Sequence, residues 1–389
     1  MDASIAGIET HPEIIIEKLV AGGEGLGFLD GKAVFVPGTI PGEKVKAHLA
    51  RRRRDFDRGT LVEVITRSPN RQAVPCKLAG ICGGCDWLHI RYEEQLSQKT
   101  AILREAFRRV GHFSWENISV HFGPPLGYRN RVQVHRDRAG QLGFMGAGSA
   151  SVVPVSDCPI SSTAVNRVFL QPALAPADRE RFTVWGQGAT FALEGKDDDR
   201  TLEVRIAGKQ IVFSVGCFFQ SNITVLELLV PFAMKDLAGR SAADLYCGVG
   251  LFGAFLADRF SHVTAVESSS LSLSYARRNV KGESNDFYQM RVEQWVDSCV
   301  GRGSFDAVVV DPPRAGLSPE MRRWLSVAKP ARLIYVSCNP VTLARDLGEL
   351  TRSGFAIDEV GLFDFYPQTS HVETVARLSN AQAAGEKNG

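Results

Sequence analysis

The sequence lacks the features that are typical of membrane proteins, secreted proteins and small disulfide-bonded proteins. No run of apolar residues reaches the roughly 18 that a membrane-spanning helix needs. The first residues carry acids and no basic stretch ahead of a long apolar one, so we expect no signal peptide. Eight cysteines among 389 residues are too few for a disulfide scaffold. We therefore expect a cytoplasmic protein without a membrane partner, whose cysteines serve a metal site or catalysis.

An excess of charge of one sign is also missing. The 45 Lys and Arg residues nearly balance the 43 Asp and Glu residues, leaving a net charge of +2. Binding of a polyanion must therefore depend on a local patch and not on the field of the whole protein. The length corresponds to two or three domains, and no internal repeat indicates a solenoid.

The pattern of the sequence divides the chain into three regions. Residues 1–66 contain short strand-like runs separated by glycine turns, which is typical of a small OB-type barrel. Residues 67–215 hold a Cys-, Gly- and Pro-rich segment, a helix expected over 91–110, and further short strands. Residues 216–389 alternate short apolar runs with helical stretches, which predicts a doubly wound parallel sheet. The expected fold class is α/β plus β.

Two basic segments are candidates for contact with RNA. Between Lys44 and Arg58 there are seven Lys or Arg residues and two acids, including the run Arg51–Arg54. This segment is either a solvated loop or a patch that contacts phosphates. A second segment is predicted to be a strand, with either a solvated face or an RNA-contacting face formed by Arg129, Arg131, Gln133 and His135.

A glycine-rich loop follows the first strand of the predicted parallel sheet. Gly248, Gly250 and Gly253 spell G-x-G-x-x-G, and Glu267 ends the next strand. Such a loop lets the backbone approach a ligand closely, and the carboxylate suits ribose hydroxyls. The pattern predicts a cofactor with an adenosine moiety, and both a nicotinamide cofactor and S-adenosylmethionine satisfy it. Tyr246 either packs against that cofactor or is an ordinary aromatic residue at a strand end.

Residues whose side chains can act as a base or a nucleophile also follow later strands. In doubly wound sheets, ligands bind beyond the carboxyl ends of the strands. Asp311 precedes two prolines, which make a rigid edge with the carboxylate aimed at the crevice. Cys338 follows the next strand and is either a nucleophile or a small buried thiol. Before the last strand, His371 or Glu373 could act as a base, although Glu373 could equally face solvent.

Four cysteines have the pattern of a metal site. Cys76, Cys82 and Cys85 are spaced C-x5-C-x2-C, and Cys158 follows far downstream. Zinc and iron–sulfur clusters both accept four thiolates. The spacing favours an iron–sulfur cluster, because paired C-x2-C motifs are the usual zinc pattern.

Together these motifs resemble the RNA uracil-5-methyltransferase family, and most closely its bacterial 23S rRNA enzymes that carry a TRAM domain. Residues 9–66 are similar to a TRAM domain, and CKLAGICGGC resembles the [4Fe-4S] motif of the family. The resemblance covers nearly the whole chain. The cofactor and catalytic motifs of the family are matched in order by FFQSN, DLYCGVG, AVES, DPPRAG, YVSCNP and SHVETV.

The resemblance implies methylation of carbon 5 of a uridine in RNA, through an adduct between a cysteine and carbon 6 of the base. The expected substrate is 23S rRNA, with tRNA as the alternative. The implied roles are Cys338 as nucleophile, Glu373 as base, contact with S-adenosylmethionine by Gln220, Tyr246, Glu267 and Asp311, and a [4Fe-4S] cluster held by Cys76, Cys82, Cys85 and Cys158. Two positions depart from the family pattern and affect the expected cofactor contacts: Leu251, where many members have Asn, and Arg291.

Two other classes of protein explain part of the sequence. A nicotinamide-dependent oxidoreductase accounts for the glycine loop and Glu267, but not for Cys338, the Asp311 edge or the basic barrel. A non-catalytic RNA-binding protein accounts for the barrel but not for a cofactor loop combined with a thiol and a base. Nothing in the sequence indicates an obligate protein partner. The cluster has no evident redox task and would be either a structural staple or an element that faces RNA.

Overall fold

The structure is a computed structural model that describes residues 11–298 and 303–380, without the side chains of residues 50–52. It contains a barrel, two smaller sheets and one large sheet flanked by helices. None of the described helices is long and apolar enough to cross a membrane.

The first five strands close into a barrel, as the sequence predicts. Apolar side chains alternate along these strands and point inward, so Ile14, Ile16 and Val34 are fully buried. Around the barrel the order is β1-β2-β3-β5-β4, and β4 pairs with β1 to close it. The side chains of Arg51 and Arg52, part of the expected basic patch, lie outside the described residues. The strands are β1 (Glu13–Leu19), β2 (Gly25–Leu29), β3 (Lys32–Val36), β4 (Lys44–Arg52) and β5 (Phe56–Thr66).

The central part of the chain begins with the cysteine-rich segment and the predicted helix. Helix α1 (Tyr92–Ala106) ends in one wider turn over Phe107–Gly111. A five-stranded antiparallel sheet has the order β11-β10-β7-β8-β9, and β12 and β13 form a separate hairpin. The elements are β6 (Ile118–His121), β7 (Arg131–Arg136), β8 (Leu142–Met145), β9 (Val152–Pro154), α2 (Thr163–Leu170), a short helical turn (Pro172–Leu174), β10 (Arg181–Gln187), β11 (Thr190–Leu193), β12 (Leu202–Ile206) and β13 (Lys209–Phe213).

The remaining elements build an eight-stranded sheet with a core on each face. Successive residues of one strand enter different cores: Ala307 and Val309 pack on one side, Val308 and Val310 on the other. That double burial is what the continuous apolar runs predict. The elements are α3 (Ile223–Met234), β14 (Gly239–Leu245), α4 (Leu251–Leu256), β15 (Phe260–Glu267), α5 (Ser270–Asn279), β16 (Asp286–Gln289), α6 (Val292–Asp297), β17 (Ala307–Val310), α7 (Pro319–Ala328), β18 (Arg332–Ser337), α8 (Pro340–Arg352), β19 (Phe355–Phe363) and β20 (Glu373–Asn380).

The strand order of the large sheet is β16-β15-β14-β17-β18-β20-β19-β6. The first five strands are parallel, so their carboxyl ends meet at one edge. Strand β20 is antiparallel and is inserted between β18 and β19, so it begins at that same edge. Strand β6 comes from the central part of the chain and pairs with β19. We propose that the chain consists of three domains, formed by residues 1–66, 67–215 and 216–389.

Candidate active site

One cavity of about 880 Å³ lies beyond the carboxyl ends of β14, β17 and β18. The first strand, β14, has its neighbours β15 and β17 on opposite sides, and such a switch point is where open sheets bind ligands. The walls also include Gly83 and Gly84 of the cysteine-rich segment. The structure brings all six predicted catalytic and cofactor residues to this cavity: Gln220, Tyr246, Glu267, Asp311, Cys338 and Glu373.

The register of two antiparallel strands places Cys338 beside Glu373. Ser337, the last residue of β18, pairs with Thr374 near the start of β20. Cys338 comes directly after Ser337, and Glu373 comes directly before Thr374. The same register therefore places Cys338 and Glu373 side by side. Glu373 is buried and Cys338 is half-buried. The sequence predicts both residues, but their adjacency follows from the inserted strand, which it does not reveal.

The glycine loop packs tightly between β14 and α5. Gly250 adopts the left-handed conformation, with φ +79°, and a Cβ there would lie 2.9 Å from Cα of Ala276. The Gly248 N–H donates to Oε2 of Glu267 at 3.1 Å, and the Ser269 N–H donates to Oε1 at 2.7 Å. These bonds hold the Glu267 carboxylate at the rim, where it can accept from ribose hydroxyls.

Buried acids surround the cavity and share one electrostatic environment. Burial raises the pKa of Asp311 to about 7. Burial, together with the negative charge of Asp311, raises the pKa of Glu373 well above its ordinary value. Burial also raises the pKa of Asp244, beneath the loop, to about 7. Each ionised carboxylate disfavours the next, so these groups hold protons at a pH where exposed acids have none.

The Cys338 thiol is held in its protonated form at neutral pH. Burial, followed by the charges of Glu373 and Asp311, raises its pKa to about 11, while Arg314 acts in the opposite direction. Arg314 also donates to Nδ1 of His371 at 3.0 Å, and both side chains line the cavity. The sequence motifs predict no role for Arg314, although it directly follows the Asp311-Pro-Pro edge.

His371 is the weaker of the two candidate bases. Burial and the charge of Arg314 lower its pKa, and the side chain is engaged with that guanidinium. Glu373 is buried beside the thiol, which excludes the alternative that it faces solvent.

A buried ion pair supports the loop between β19 and β20. Nζ of Lys99, on α1, donates to Oδ1 of Asp364 at 2.6 Å, and both side chains have no exposed surface. Nζ also donates to the carbonyl of Tyr366 at 3.1 Å, and the Tyr92 hydroxyl donates to Oδ2 of Asp364 at 2.9 Å. The ring of Tyr366 forms part of the cavity wall. This network therefore fixes the path by which the chain reaches Glu373.

The four predicted metal ligands line a separate cavity of about 230 Å³. Burial, followed by the neighbouring Cys158, raises the pKa of Cys85 to about 12. None of the four takes part in a disulfide. Within the described residues, however, no three His, Cys, Asp or Glu side chains converge closely enough to hold a metal ion. The donor set has the chemistry of a four-thiolate site.

The cavity lined by the four cysteines shares a wall with the cavity lined by Cys338 and Glu373. Gly83, Gly84 and Arg129 line both. The guanidinium of Arg129 lies 5.9 Å from the centre of the Tyr366 ring. On the adjoining strand β7, Arg131 and Gln133 alternate with buried Val132 and Val134, as the sequence predicts. Arg131 packs on Phe218, with its guanidinium 5.6 Å from the ring centre. Phe218 lines the cavity that contains Cys338, so Arg131 adjoins that cavity.

Comparison with known proteins agrees with this fold. Residues 181–381 match the family described as tRNA (Uracil-5-)-methyltransferase, and residues 12–62 match the TRAM domain. A relative from Bdellovibrio bacteriovorus, described as an uncharacterized RNA methyltransferase, is 32% identical over 93% of this chain and 93% of its own. The 23S rRNA (uracil(1939)-C(5))-methyltransferase RlmD of Pseudomonas fluorescens is 31% identical over 94% of this chain and 91% of its own.

A solved structure shows the same fold over almost the whole chain. The tRNA (uracil-54, C5)-methyltransferase of Pyrococcus abyssi, in complex with S-adenosyl-L-homocysteine, superposes with a TM-score of 0.72. The sequences are 24% identical, and the match covers 94% of this chain and all of that one.

The family match assigns the sheet, the glycine loop and the cavity at the switch point to a methyltransferase that uses S-adenosylmethionine. More narrowly, the chain belongs to the tRNA (uracil-5-)-methyltransferase family, with an N-terminal TRAM barrel, and is an RNA uracil-5-methyltransferase. A nicotinamide-dependent oxidoreductase and a non-catalytic RNA-binding protein are thereby excluded.

Proposed function

We propose that this enzyme methylates carbon 5 of a uridine in 23S rRNA through a covalent adduct with Cys338. The observation that carries the proposal is the juxtaposition of Cys338 and Glu373 at the wall of the cavity that also holds the glycine loop and Asp311. Carbon 5 of uracil is too weak a nucleophile to attack a methylsulfonium directly. A thiolate added to carbon 6 turns the ring into an enolate with carbanion character at carbon 5.

Each site residue has a chemical task in this reaction. Cys338 releases its proton to solvent and adds to carbon 6 as a thiolate, and carbon 5 then takes the methyl group that S-adenosylmethionine supplies. Glu373, in its ionised form, removes the proton of carbon 5, and the thiolate leaves to restore the double bond. Because its pKa is raised, Glu373 is a stronger base than an exposed carboxylate. Gln220, Tyr246, Glu267 and Asp311 hold the cofactor along the strand ends.

The choice of 23S rRNA over tRNA follows the curated relatives. RlmD of Pseudomonas fluorescens acts on 23S rRNA and matches this chain along nearly its full length. The likeness to the tRNA enzyme is one of fold. Cys338 lines the cavity just past the end of β18, so the target base must leave its stack to enter it. The TRAM barrel and the segment from Arg129 to His135 would hold the surrounding RNA through phosphate contacts.

We also propose that Cys76, Cys82, Cys85 and Cys158 bind a [4Fe-4S] cluster. The support is the common cavity of about 230 Å³, the free thiols and the donor chemistry. The cluster supplies no step of the methyl transfer. Because its cavity shares Gly83, Gly84 and Arg129 with the catalytic cavity, these residues would gain a fixed position from it.

The decisive experiment traps the adduct. The protein is mixed with S-adenosylmethionine and 23S rRNA fragments that contain 5-fluorouridine, and a denaturant-stable protein–RNA complex is sought. Fluorine at carbon 5 cannot leave as a proton, so the intermediate on Cys338 should accumulate. The complex should vanish in Cys338→Ala and persist in Cys217→Ala, whose thiol lies outside the cavity. A complex that survives in Cys338→Ala refutes the nucleophile, and trapping of tRNA but not of 23S rRNA refutes the substrate.

A second variant tests the base. Glu373→Gln should methylate carbon 5 but fail to release the RNA, so methylated RNA should stay bound to the protein in denaturant. Free methylated product at the normal rate contradicts the role of Glu373.

A further inference from the structure

A tight turn leads the chain from β19 to the proposed catalytic base. The Thr369 N–H donates to the carbonyl of Tyr366 at 3.2 Å, so residues 366–369 form a turn, which we call the Pro367 turn. Proline is its second residue, and the third, Gln368, has a left-handed backbone with φ +68°. This is the arrangement of a type II turn, in which the third residue is normally glycine. A glutamine in that conformation must be held there by its surroundings.

Helix α1 supplies the side chain that holds Gln368. The Gln368 N–H donates to Oε1 of Gln95 at 2.8 Å, and Nε2 of Gln95 donates to Oε1 of Gln368 at 2.9 Å. Nε2 of Gln95 also donates to the carbonyls of Trp87 and Ile90, at 3.1 and 2.9 Å. Gln95 has no exposed surface, so water does not compete for these bonds. Gln95 therefore fixes the residue of the turn whose backbone conformation is unfavourable.

The residues after the turn are held in the same way. The Ser370 N–H donates to Oδ1 of Asp86 at 2.9 Å, and the His371 N–H donates to the Thr369 hydroxyl at 3.2 Å. A Cβ on Gly23, between β1 and β2, would lie 2.5 Å from Oδ2 of Asp86 and 2.7 Å from Cβ of Ser370, so the barrel packs tightly against this contact. All four N–H groups that follow the proline therefore have an acceptor, and two of these acceptors belong to the amino-terminal part of the chain.

We propose that Gln95 is a positioning residue for Glu373. Buried Val372 is the residue between His371 and Glu373, so the direction in which the chain leaves the turn sets where the carboxylate enters the cavity. Removal of the proton from carbon 5 requires a carboxylate oxygen at hydrogen-bond distance. A displacement of about 1 Å can slow such a step about a hundredfold. The inference rests on the proposed role of Glu373 and adds the residue that aims it.

The test measures how long the methylated adduct survives on Cys338. The full-length protein turns over a 23S rRNA fragment with S-adenosylmethionine that carries a radiolabelled methyl group, and the reaction is stopped in denaturant. The amount of labelled RNA joined to the protein, divided by the rate at which free labelled RNA forms, is the lifetime of the adduct. Proton removal from carbon 5 ends this lifetime, so partial unfolding and weak RNA binding leave it unchanged. Gln95→Met should lengthen it about 10- to 100-fold.

Three further proteins separate positioning from a general loss of structure. Gln98→Met makes the same change on the same helix, where the side chain bonds Glu94, and should keep the wild-type lifetime. Gln95→Met/Gln368→Gly should shorten the lifetime again, because glycine adopts the left-handed conformation without a Cβ penalty. Asp86→Ala removes an exposed carboxylate, so it should fold, and the loss of its bond to the chain after the turn should lengthen the lifetime severalfold.

The outcomes separate this inference from the function beneath it. An unchanged lifetime in Gln95→Met, or equal lengthening in Gln98→Met, overturns the role of Gln95. If Gln95→Met does not fold, an unchanged lifetime in Asp86→Ala overturns the positioning of the base by this turn. The proposed function fails in a different way, through absence of an adduct on Cys338 in the wild-type protein or an unchanged lifetime in Glu373→Gln.

Discussion

Removal of Lys99 should destabilise this protein far more than removal of an ordinary surface lysine. The attraction between Nζ of Lys99 and Oδ1 of Asp364 at 2.6 Å is about 6 kcal/mol at an effective dielectric constant of 20. Desolvation of both ions offsets much of that attraction, so the pair adds little net stability. Lys99→Met, however, leaves the Asp364 charge buried, with the Tyr92 hydroxyl as its remaining side-chain hydrogen-bond partner in the part of the chain that the structure describes. We expect a loss of about 3–5 kcal/mol in the free energy of unfolding.

Urea unfolding followed by circular dichroism measures this loss against two comparisons. Lys235→Met removes an exposed partner of Glu359, in a pair at 3.3 Å, and should cost less than about 1 kcal/mol. The double variant Lys99→Met/Asp364→Asn buries no unpaired charge and should be less destabilised than the sum of its single variants by several kcal/mol. Additive losses, or a cost for Lys99→Met as small as that for Lys235→Met, would refute the buried-charge argument.

The other predictions concern the cavity and the thiol site. The rate at which Cys338 of the folded protein is alkylated, measured by mass spectrometry of the peptide that contains it, should rise about tenfold per pH unit from pH 7 to pH 10. The reason is that only the thiolate reacts and the pKa of the thiol is about 11. Arg314→Gln should slow it at each pH, and a rate independent of pH contradicts the raised pKa. Asp311→Asn should raise the melting temperature more at pH 8 than at pH 5. The folded protein holds a proton on Asp311 up to about pH 7 and bears a buried negative charge above that pH, and the substitution removes this charge. An equal gain at both pH values contradicts the raised pKa of Asp311. Gly250→Ala should weaken S-adenosylhomocysteine binding and lower the melting temperature, since its Cβ would meet Ala276 at 2.9 Å. Cys85→Ser should abolish the visible absorption and the iron content of protein purified without oxygen, and iron retained at the wild-type level rules out this ligand.

Local patterns in the sequence predict the elements but not their order in the sheet. The apolar runs at 242–246, 263–266, 307–310 and 332–336 each become a strand, because burial on both faces leaves a continuous apolar signal. No comparable signal tells that β20 enters the sheet antiparallel between β18 and β19. The adjacency of Cys338 and Glu373 depends on that insertion, so the sequence predicts the two residues and the structure brings them together.

Long-range partners are the other part that sequence patterns miss. The helical period places Lys99 on the apolar face of the predicted helix over 91–110, where a charged residue stands out. Its partner Asp364 lies 265 residues further along the chain, and no local pattern connects them. Glu293 is similar: its hydrogen bond with the Tyr246 hydroxyl joins residues 47 positions apart, and no local pattern predicts it.

The edge strand β6 has a consequence for synthesis on the ribosome. Ser119 of β6 and Val360 of β19 are 241 residues apart, yet they lie on neighbouring strands. Chains emerge from the ribosome amino end first, so β6 must remain without its sheet neighbour while most of the protein is being made. Glu373 joins the thiol later still, after β20 threads between β18 and β19. The newly made chain therefore lacks both the pairing of β6 with β19 and the placement of Glu373 beside Cys338 until about residue 380 has cleared the exit tunnel, and the unpaired β6 is a site for aggregation until then.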